Sequence, residues 1–349
     1  MNSKNICEMK QIKALQTVFA FLIILHHISV TPLCVEKYGD KYDIILIIRN
    51  IGPLLVGFFM FLIGYEIMYK LKHNENIRFF RDSIAPILIS FFFCNYAYMI
   101  VTQLMGTHYT GKQLIAAFFG ILLLNPQMWF AVEVLIMSAL TYFIFRKVKS
   151  TGRAFALLWV ITFVIIVFSL SLGHGESPHG ITNWFYGEWW YNSIIFYILG
   201  ALFAVKQDRI ETFFNRKSVI ITVVSFVLLL ISFAYDMYVM YWRGYWTETE
   251  NDMMYRDKIE ALVVQTFVVC FFIIFSISIC YLFRFGGKIS ERLSKIYLEL
   301  ILVNNIFIYI IQNNNLKLND AIFVTFEILV TYVVAYSIYT IKTLVMGRK

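Results

Sequence analysis

Charge is what this sequence has least of. Asp, Glu, Lys and Arg make up only 15% of its 349 residues, whereas 60% are hydrophobic and the mean hydropathy is +0.70. A soluble domain carries charge on near a quarter of its residues, so a soluble globular chain is excluded. Cysteine is sparse too. Cys7, Cys34, Cys94, Cys270 and Cys280 are scattered, which is neither a disulfide framework nor a metal-ligand spacing. No phosphate-cradling glycine loop, zinc-type His/Glu pair or nucleophile elbow occurs. Tandem repeats and low-complexity linkers are missing as well, so residues 1–349 read as a single domain.

What fills the chain instead is a series of long uncharged apolar stretches. Each is near the ~20 residues a helix needs to cross a ~30 Å hydrocarbon core. They predict about ten transmembrane helices, at roughly 14–34, 45–69, 84–105, 128–145, 154–172, 188–205, 218–236, 261–283, 296–312 and 320–342. The expected fold is an all-α polytopic membrane bundle, because the backbone in lipid must satisfy its own polar groups. The short period-two segments of a barrel are absent. The first stretch lacks a small-residue cleavage site and reads as a retained anchor. The stretch 113–124 is apolar but too short to cross, and reads as an interfacial or re-entrant piece on the outer side.

Basic residues set the expected orientation. With the N-terminus cytoplasmic, 22 of the 30 Lys and Arg fall in inner segments, and the bias holds at every inner loop. An even helix count with both termini cytoplasmic fits best. The net charge of +8 is therefore a topology signal. It does not point to nucleic acid, because the basic residues sit in short loops and form no continuous patch.

Four constellations carry chemistry. The first is His26–His27, deep in the opening span. With a helix start near Ala14, His27 lies ~20 Å along the axis, beyond the bilayer midplane. An ionisable residue at that depth is costly and marks a functional site or a core histidine bonded to a neighbouring helix. The two rings point ~100° apart. His27 shares a stripe with Ile23, Ala20 and Gln16, and Lys13 lies ~40° off it at the cytoplasmic mouth. One face of this helix thus carries a cation at the inner surface and an imidazole within. That suits a substrate threaded from the cytoplasm, anionic tail first held outside and reactive end inside.

The second is Arg78-Phe-Phe-Arg81, just before the third span. A spacing of three puts both guanidiniums on one helical face. They stand at a helix N-terminus, which favours anions, and planar guanidiniums suit phosphate. Ordinary positive-inside charge is the alternative. The third is a set of acids and amides in or near the membrane: Glu133, Glu299, Glu327, Asn304 and Asn305. Glu133 follows Met128-Trp129-Phe130 and is a candidate to orient an imidazole or to act as a base. Glu327, with no motif around it, reads as a structural hydrogen-bond partner. The fourth is aromatic: Trp184 to Tyr191 and Tyr241 to Trp246 in the outer loops. Aromatic faces beside acids suit sugar rings, although an interfacial belt explains most such residues.

In their order along the chain, these landmarks resemble the acyltransferase-3 family of integral membrane acyltransferases, which includes bacterial O-acetyltransferases of surface polysaccharides. Residues 12–27 are similar to its opening helix, where a basic residue precedes a histidine with ten residues between them; here that position is Gln16, with Lys13 one turn earlier. Residues 52–65 (Gly-Pro-Leu-Leu-Val-Gly to Gly-Tyr) are similar to its second helix. Arg78-Phe-Phe-Arg81 with Pro86, Met128-Trp129-Phe130, and Gly287-Lys-Ile-Ser through Tyr297-Leu-Glu299 resemble its later landmarks.

The resemblance implies an enzyme that moves an acyl group, usually acetyl from cytoplasmic acetyl-CoA, to a hydroxyl on a glycan or other acceptor outside. The implied site comprises His27, with His26 and Glu133, as catalytic residues. Lys13, Gln16, Arg78, Arg81 and Trp129 would bind substrate. Arg78 and Arg81 would hold the phosphates of coenzyme A, and His27 would act as general base or, alternatively, accept the acyl group itself. No metal or bound cofactor is implied; acyl-CoA is a donor substrate. Expected partners are acyl-CoA, a glycan acceptor, membrane lipid and other polysaccharide-biosynthesis proteins, with the chain multi-pass in the plasma membrane. Two other readings stand beside this one. A transporter or flippase for a lipid-linked glycan predicts matching halves with broken helices, which five prolines and no repeat do not support. A glycan polymerase or ligase would use Arg243, Arg256 and Glu260 but leaves His27 without a role.

Overall fold

The computed structural model describes residues 5–31, 34, 35, 37, 43–73, 79–119, 121–125, 128–171, 189–242, 255–313 and 319–347. Among these there is no strand. A 3-10 turn, Ile6–Glu8, precedes α1 (Lys10–Ser29). Then come α2 (Asp43–Asn50), α3 (Gly52–His73), a π-helical turn (Phe80–Ile84) and α4 (Ala85–Leu104). These lead to α5 (Gly111–Phe118), α6 (Trp129–Lys147), α7 (Thr151–Ser171), α8 (Trp189–Met237) and α9 (Tyr255–Leu282). Short α10 (Lys288–Leu293), α11 (Tyr297–Val303) and α12 (Ile306–Asn313) are followed by the final long helix, α13 (Asp320–Val345).

Nine helical segments among the described residues are long and apolar enough to cross a membrane. One of them, Asn192–Tyr241, has 50 residues. That is about 75 Å of helix, more than twice a ~30 Å hydrocarbon core. It bends at Lys217, whose φ of −129° and ψ of 20° leave the helical region. Both of its halves run along α9. In the first, Phe196 and Val269 meet at Gly57, and Phe214 packs on Tyr281 with ring centroids 5.5 Å apart. In the second, Thr222 donates to Ser278 at 2.9 Å and Tyr235 to Glu260 at 3.1 Å. The direction along α9 reverses at Lys217, so α8 is a helical hairpin and crosses twice. Among the described residues the nine segments therefore hold ten candidate crossings, and the two expected spans at 188–205 and 218–236 are the arms of one bent helix.

The outward faces are apolar. Val160, Phe163 and Val164 on α7 and Val223, Val227 and Leu230 on α8 are all exposed, as lipid-facing residues should be. Inside, packing relies on close backbone approach where small residues permit it. A Cβ on Gly64 would lie 2.0 Å from the Tyr197 carbonyl oxygen, and one on Gly200 would lie 1.9 Å from that of Phe61. α3 and α8 therefore touch backbone to backbone.

The short apolar stretch returns into the bundle. A capping box opens α5: Thr110 Oγ1 accepts from the Gln113 amide at 3.3 Å, and Gln113 Oε1 accepts from the Thr110 amide at 2.9 Å. Near its end, the Ala117 carbonyl accepts from Asn95 Nδ2 at 2.9 Å, and Asn95 lies in the middle of α4. The following segment goes deeper, for Asn125 is fully buried and donates to the Leu302 carbonyl on α11 at 2.9 Å.

Candidate active site

α1 presents the predicted stripe to the protein. Gln16, Ala20 and Ile23 are all buried, while Val18 is 52% exposed. Nine residues separate Val18 from His27, half a turn in angle, so His27 lies opposite the lipid-facing side. The N-terminal end of α1 is held by the late chain. Thr17 Oγ1 lies 3.1 Å from the Ser290 carbonyl, and Gly286, at a φ of +94°, brings its backbone against the Lys10 carbonyl. A Cβ there would sit 2.5 Å from that oxygen, and only glycine takes this conformation without strain.

The two histidines have different surroundings. His26 Nδ1 is 3.3 Å from the Ile48 carbonyl of α2, and its ring covers Gly52, where a Cβ would fall 2.5 Å from Nε2. His26 is thereby engaged in holding α1 to the α2–α3 junction. His27 is half-buried, and its Nδ1 is buried with no hydrogen-bond partner among the described residues. Buried polar atoms are almost always paired, so the unpaired imidazole nitrogen is the exception in this helix. The two ring centroids are 5.1 Å apart.

At the N-terminal end of α1, Lys13 is half-buried one turn before Gln16. Arg78 lies outside the described residues. Arg81 is exposed in the π-helical turn, with Nε 3.2 Å from Asp82 Oδ1. That pair is solvent-exposed and leaves most of the guanidinium free to meet an anion. Lys70 secures the turn to α3, donating to the Asp82 carbonyl at 3.3 Å while pairing with Glu66 at 2.7 Å. Close by, burial and then the Glu66 carboxylate push the Cys7 thiol well above its ordinary range. It stays protonated at neutral pH and offers no competing thiolate nucleophile.

Glu133 and Trp129 sit on α6. Glu133 is fully buried, and its two oxygens accept from Ser193 Oγ of α8 at 2.9 and 2.8 Å. The structure thus pairs Glu133 with a serine and does not bring it to a histidine nitrogen. Trp129 is buried, edge-on to Phe130 with centroids 6.1 Å apart, at the end of the re-entrant segment carrying Asn125. Lys13, Gln16 and His27 are the part of the expected site that shares one face.

Sequence reasoning notices Asn304 and Asn305 without finding what they do. The helix breaks there: α11 stops at Val303, α12 begins at Ile306, and Asn305 has a φ of +74°. Polar side chains from elsewhere satisfy the loose backbone ends. Asn125 Nδ2 donates to the Leu302 and Asn304 carbonyls at 2.9 and 3.3 Å. The two oxygens of Glu327 on α13 accept from the Asn305 and Ile308 amides at 3.1 Å each, and Thr331 supports Oε1. The structural role expected for Glu327 is what it performs. Glu299 lies one turn and a half before the break, fully buried, and is bonded by Lys342 and by Ser90 at 2.6 Å. The signal was the Asn-Asn pair inside the apolar run Ile301 to Ile311.

No curated protein and no solved structure matches the chain. The acyltransferase-3 model, described as an acyltransferase domain, matches residues 9–340. That stretch runs from the turn before α1 to the last turns of α13 and takes in every crossing. The chain belongs to the acyltransferase-3 family and is a multi-pass membrane acyltransferase.

Proposed function

We propose that this protein is an O-acyltransferase of the plasma membrane, with both termini cytoplasmic, that moves an acetyl group from cytoplasmic acetyl-CoA to a hydroxyl of a cell-envelope glycan. The observation that carries the reading is the bundle-facing stripe of α1. It joins Lys13 at one end to an imidazole with an unpaired buried nitrogen at the other. A donor with a polyanionic head and a reactive thioester at the end of a long arm fits such a lane. Lys13, Arg81 and Arg78 hold the phosphates at the inner mouth by charge-assisted hydrogen bonds. Gln16 lines the way in, and Trp129 packs the wall formed by the re-entrant segment.

His27 takes the proton of the acceptor hydroxyl as its oxygen bonds to the thioester carbonyl carbon. When the carbon–sulfur bond breaks, the imidazolium returns that proton to the departing thiolate. Neutral imidazole suits this exchange because its intrinsic proton affinity lies near working pH. His26 and Glu133 act by position: one fixes α1 beside α3, the other fixes α6 beside α8. Other polysaccharide-biosynthesis proteins supply or consume the acceptor.

The test is turnover of radiolabelled acetyl-CoA by the purified protein with crude envelope glycan. Label appearing on the glycan, released by mild base as an ester, is the expected result. Glycan movement across vesicles without ester formation would overturn it in favour of a transporter.

A further inference from the structure

The broken turn between α11 and α12 is built with care and left unfinished. Breaking a helix at membrane depth exposes backbone groups that cost several kcal/mol each if unpaired. Here Asn125 and Glu327 pair them. What remains is the carboxamide of Asn304 itself. The residue is completely buried, and neither Nδ2 nor Oδ1 has a partner among the described residues. The neighbouring Asn305 Oδ1 is also buried and unpaired. Three buried polar atoms at one irregular turn thus stand apart from the rule that such atoms are paired.

Two tethers set the depth of this turn. At the inner side, Thr17 of α1 meets Ser290, and both chains then run outward. His27 follows Thr17 by ten residues and Asn304 follows Ser290 by fourteen, ~15 and ~21 Å at helical rise. At the outer side, Lys37 beyond α1 pairs with Asp320 at the start of α13, at 2.6 Å. Glu327, which caps the broken turn, lies ~10 Å below Asp320. α11 packs directly against α1, α4 and α13. The turn is therefore beside the outer half of α1, at about the depth of the unpaired imidazole.

We propose that Asn304 is a catalytic residue whose Nδ2 donates to the thioester carbonyl oxygen as that oxygen becomes negative. This rests on the acyl-transfer reading. The acceptor hydroxyl gives its proton to His27, the new carbon–oxygen bond forms, and the carbonyl electrons move onto the oxygen that Asn304 holds. Collapse reforms the carbonyl, expels the thiolate and returns the proton to it from the imidazolium. A fixed donor in a dry site needs no reorganisation at the moment of reaction, which makes it effective. Asn304 Oδ1, an acceptor on the same carboxamide, suits the incoming hydroxyl.

The test uses the full chain in nanodiscs with acetyl-CoA and envelope glycan, comparing Asn304→Ala, the isosteric Asn304→Asp and His27→Ala with the parent. Both Asn304 variants are expected to lose kcat by about 10²–10³-fold while donor KM stays within twofold. Combining Asn304→Ala with His27→Ala should cost far less than the product of the single losses. An Asn304→Ala protein with kcat within threefold of the parent, beside an inactive His27→Ala, overturns the assignment and leaves the acyl-transfer reading intact. Failure of both Asn304 variants to yield monodisperse protein assigns the residue to folding and overturns it equally. A parent protein that never consumes acetyl-CoA overturns both.

Discussion

Lys342 on α13 bonds Glu299 on α11 inside the helix bundle, with Ser90 of α4 as the carboxylate's second donor. Glu299 is fully buried and the Lys342 side chain is only 11% exposed. Three helices around the broken turn are thus joined through one carboxylate. Removing a single partner of a buried pair leaves the other charge stranded, at a cost of about 3–5 kcal/mol. Glu299→Gln or Lys342→Met alone should lower the thermal unfolding midpoint markedly. The double variant should recover most of that loss, because two uncharged side chains leave no stranded ion. Thermal unfolding in detergent measures all three. A double variant no more stable than the singles would show that the pair's worth is not electrostatic.

The contrasting environments of the two histidines separate their roles. His27→Ala should reduce kcat by roughly 10²–10⁴-fold, the usual contribution of a general base, with folding unchanged. His26→Ala removes the contact with the Ile48 carbonyl and the ring over Gly52. It should reduce stability first and activity only modestly. Parallel assays of acetyl transfer and thermal unfolding check both. Equal retention of activity in the two variants would remove the proposed mechanism.

Much of this was written in hydropathy. Span length, the positive-inside bias and the short 113–124 stretch carry ten crossings and a re-entrant piece, because lipid punishes any other arrangement of such residues. The α1 stripe was legible for a related reason: helical period alone fixes which side chains share a face. The pairings across helices were not. Nothing local tells Glu133 to meet Ser193 rather than a histidine, and Lys342 looks like any basic residue in the last turn of a helix until Glu299 is seen beside it. Glu327 capping a helix on another element is likewise invisible, because capping is read from neighbours in sequence and this cap comes from 19 and 22 residues away.

Arg81 is exposed on the π-helical turn and pairs there with the half-buried Asp82 carboxylate. A surface pair of this kind is worth little, so the guanidinium can turn to an anionic donor at small cost. Reversing the charge at Arg78 and Arg81 together should raise donor KM by at least tenfold and leave glycan KM unchanged. The donor effect should also shrink as salt rises in the parent protein, since charge at a solvent-exposed mouth is screened. Steady-state kinetics at two ionic strengths provide the check. A change confined to the acceptor would move the phosphate site elsewhere.

Glu327 offers the sharpest separation of a structural from a chemical carboxylate. Its two oxygens take the Asn305 and Ile308 amides at 3.1 Å, and Thr331 adds a third bond. Glu327→Ala leaves two amides unpaired away from water, each costing about 1–3 kcal/mol. Glu327→Gln keeps one carbonyl oxygen and should lose about half as much. If the residue only caps α12, activity should follow stability across the series, with donor KM and pH profile unchanged in whatever fraction stays folded. Hydrogen exchange at Asn305 and Ile308 reads the cap directly, and both amides should exchange faster in Glu327→Ala while those of α13 stay protected. Were Glu327→Gln fully stable yet inactive, the carboxylate would have to take part in the chemistry, and the broken turn would have to be rebuilt around a second base.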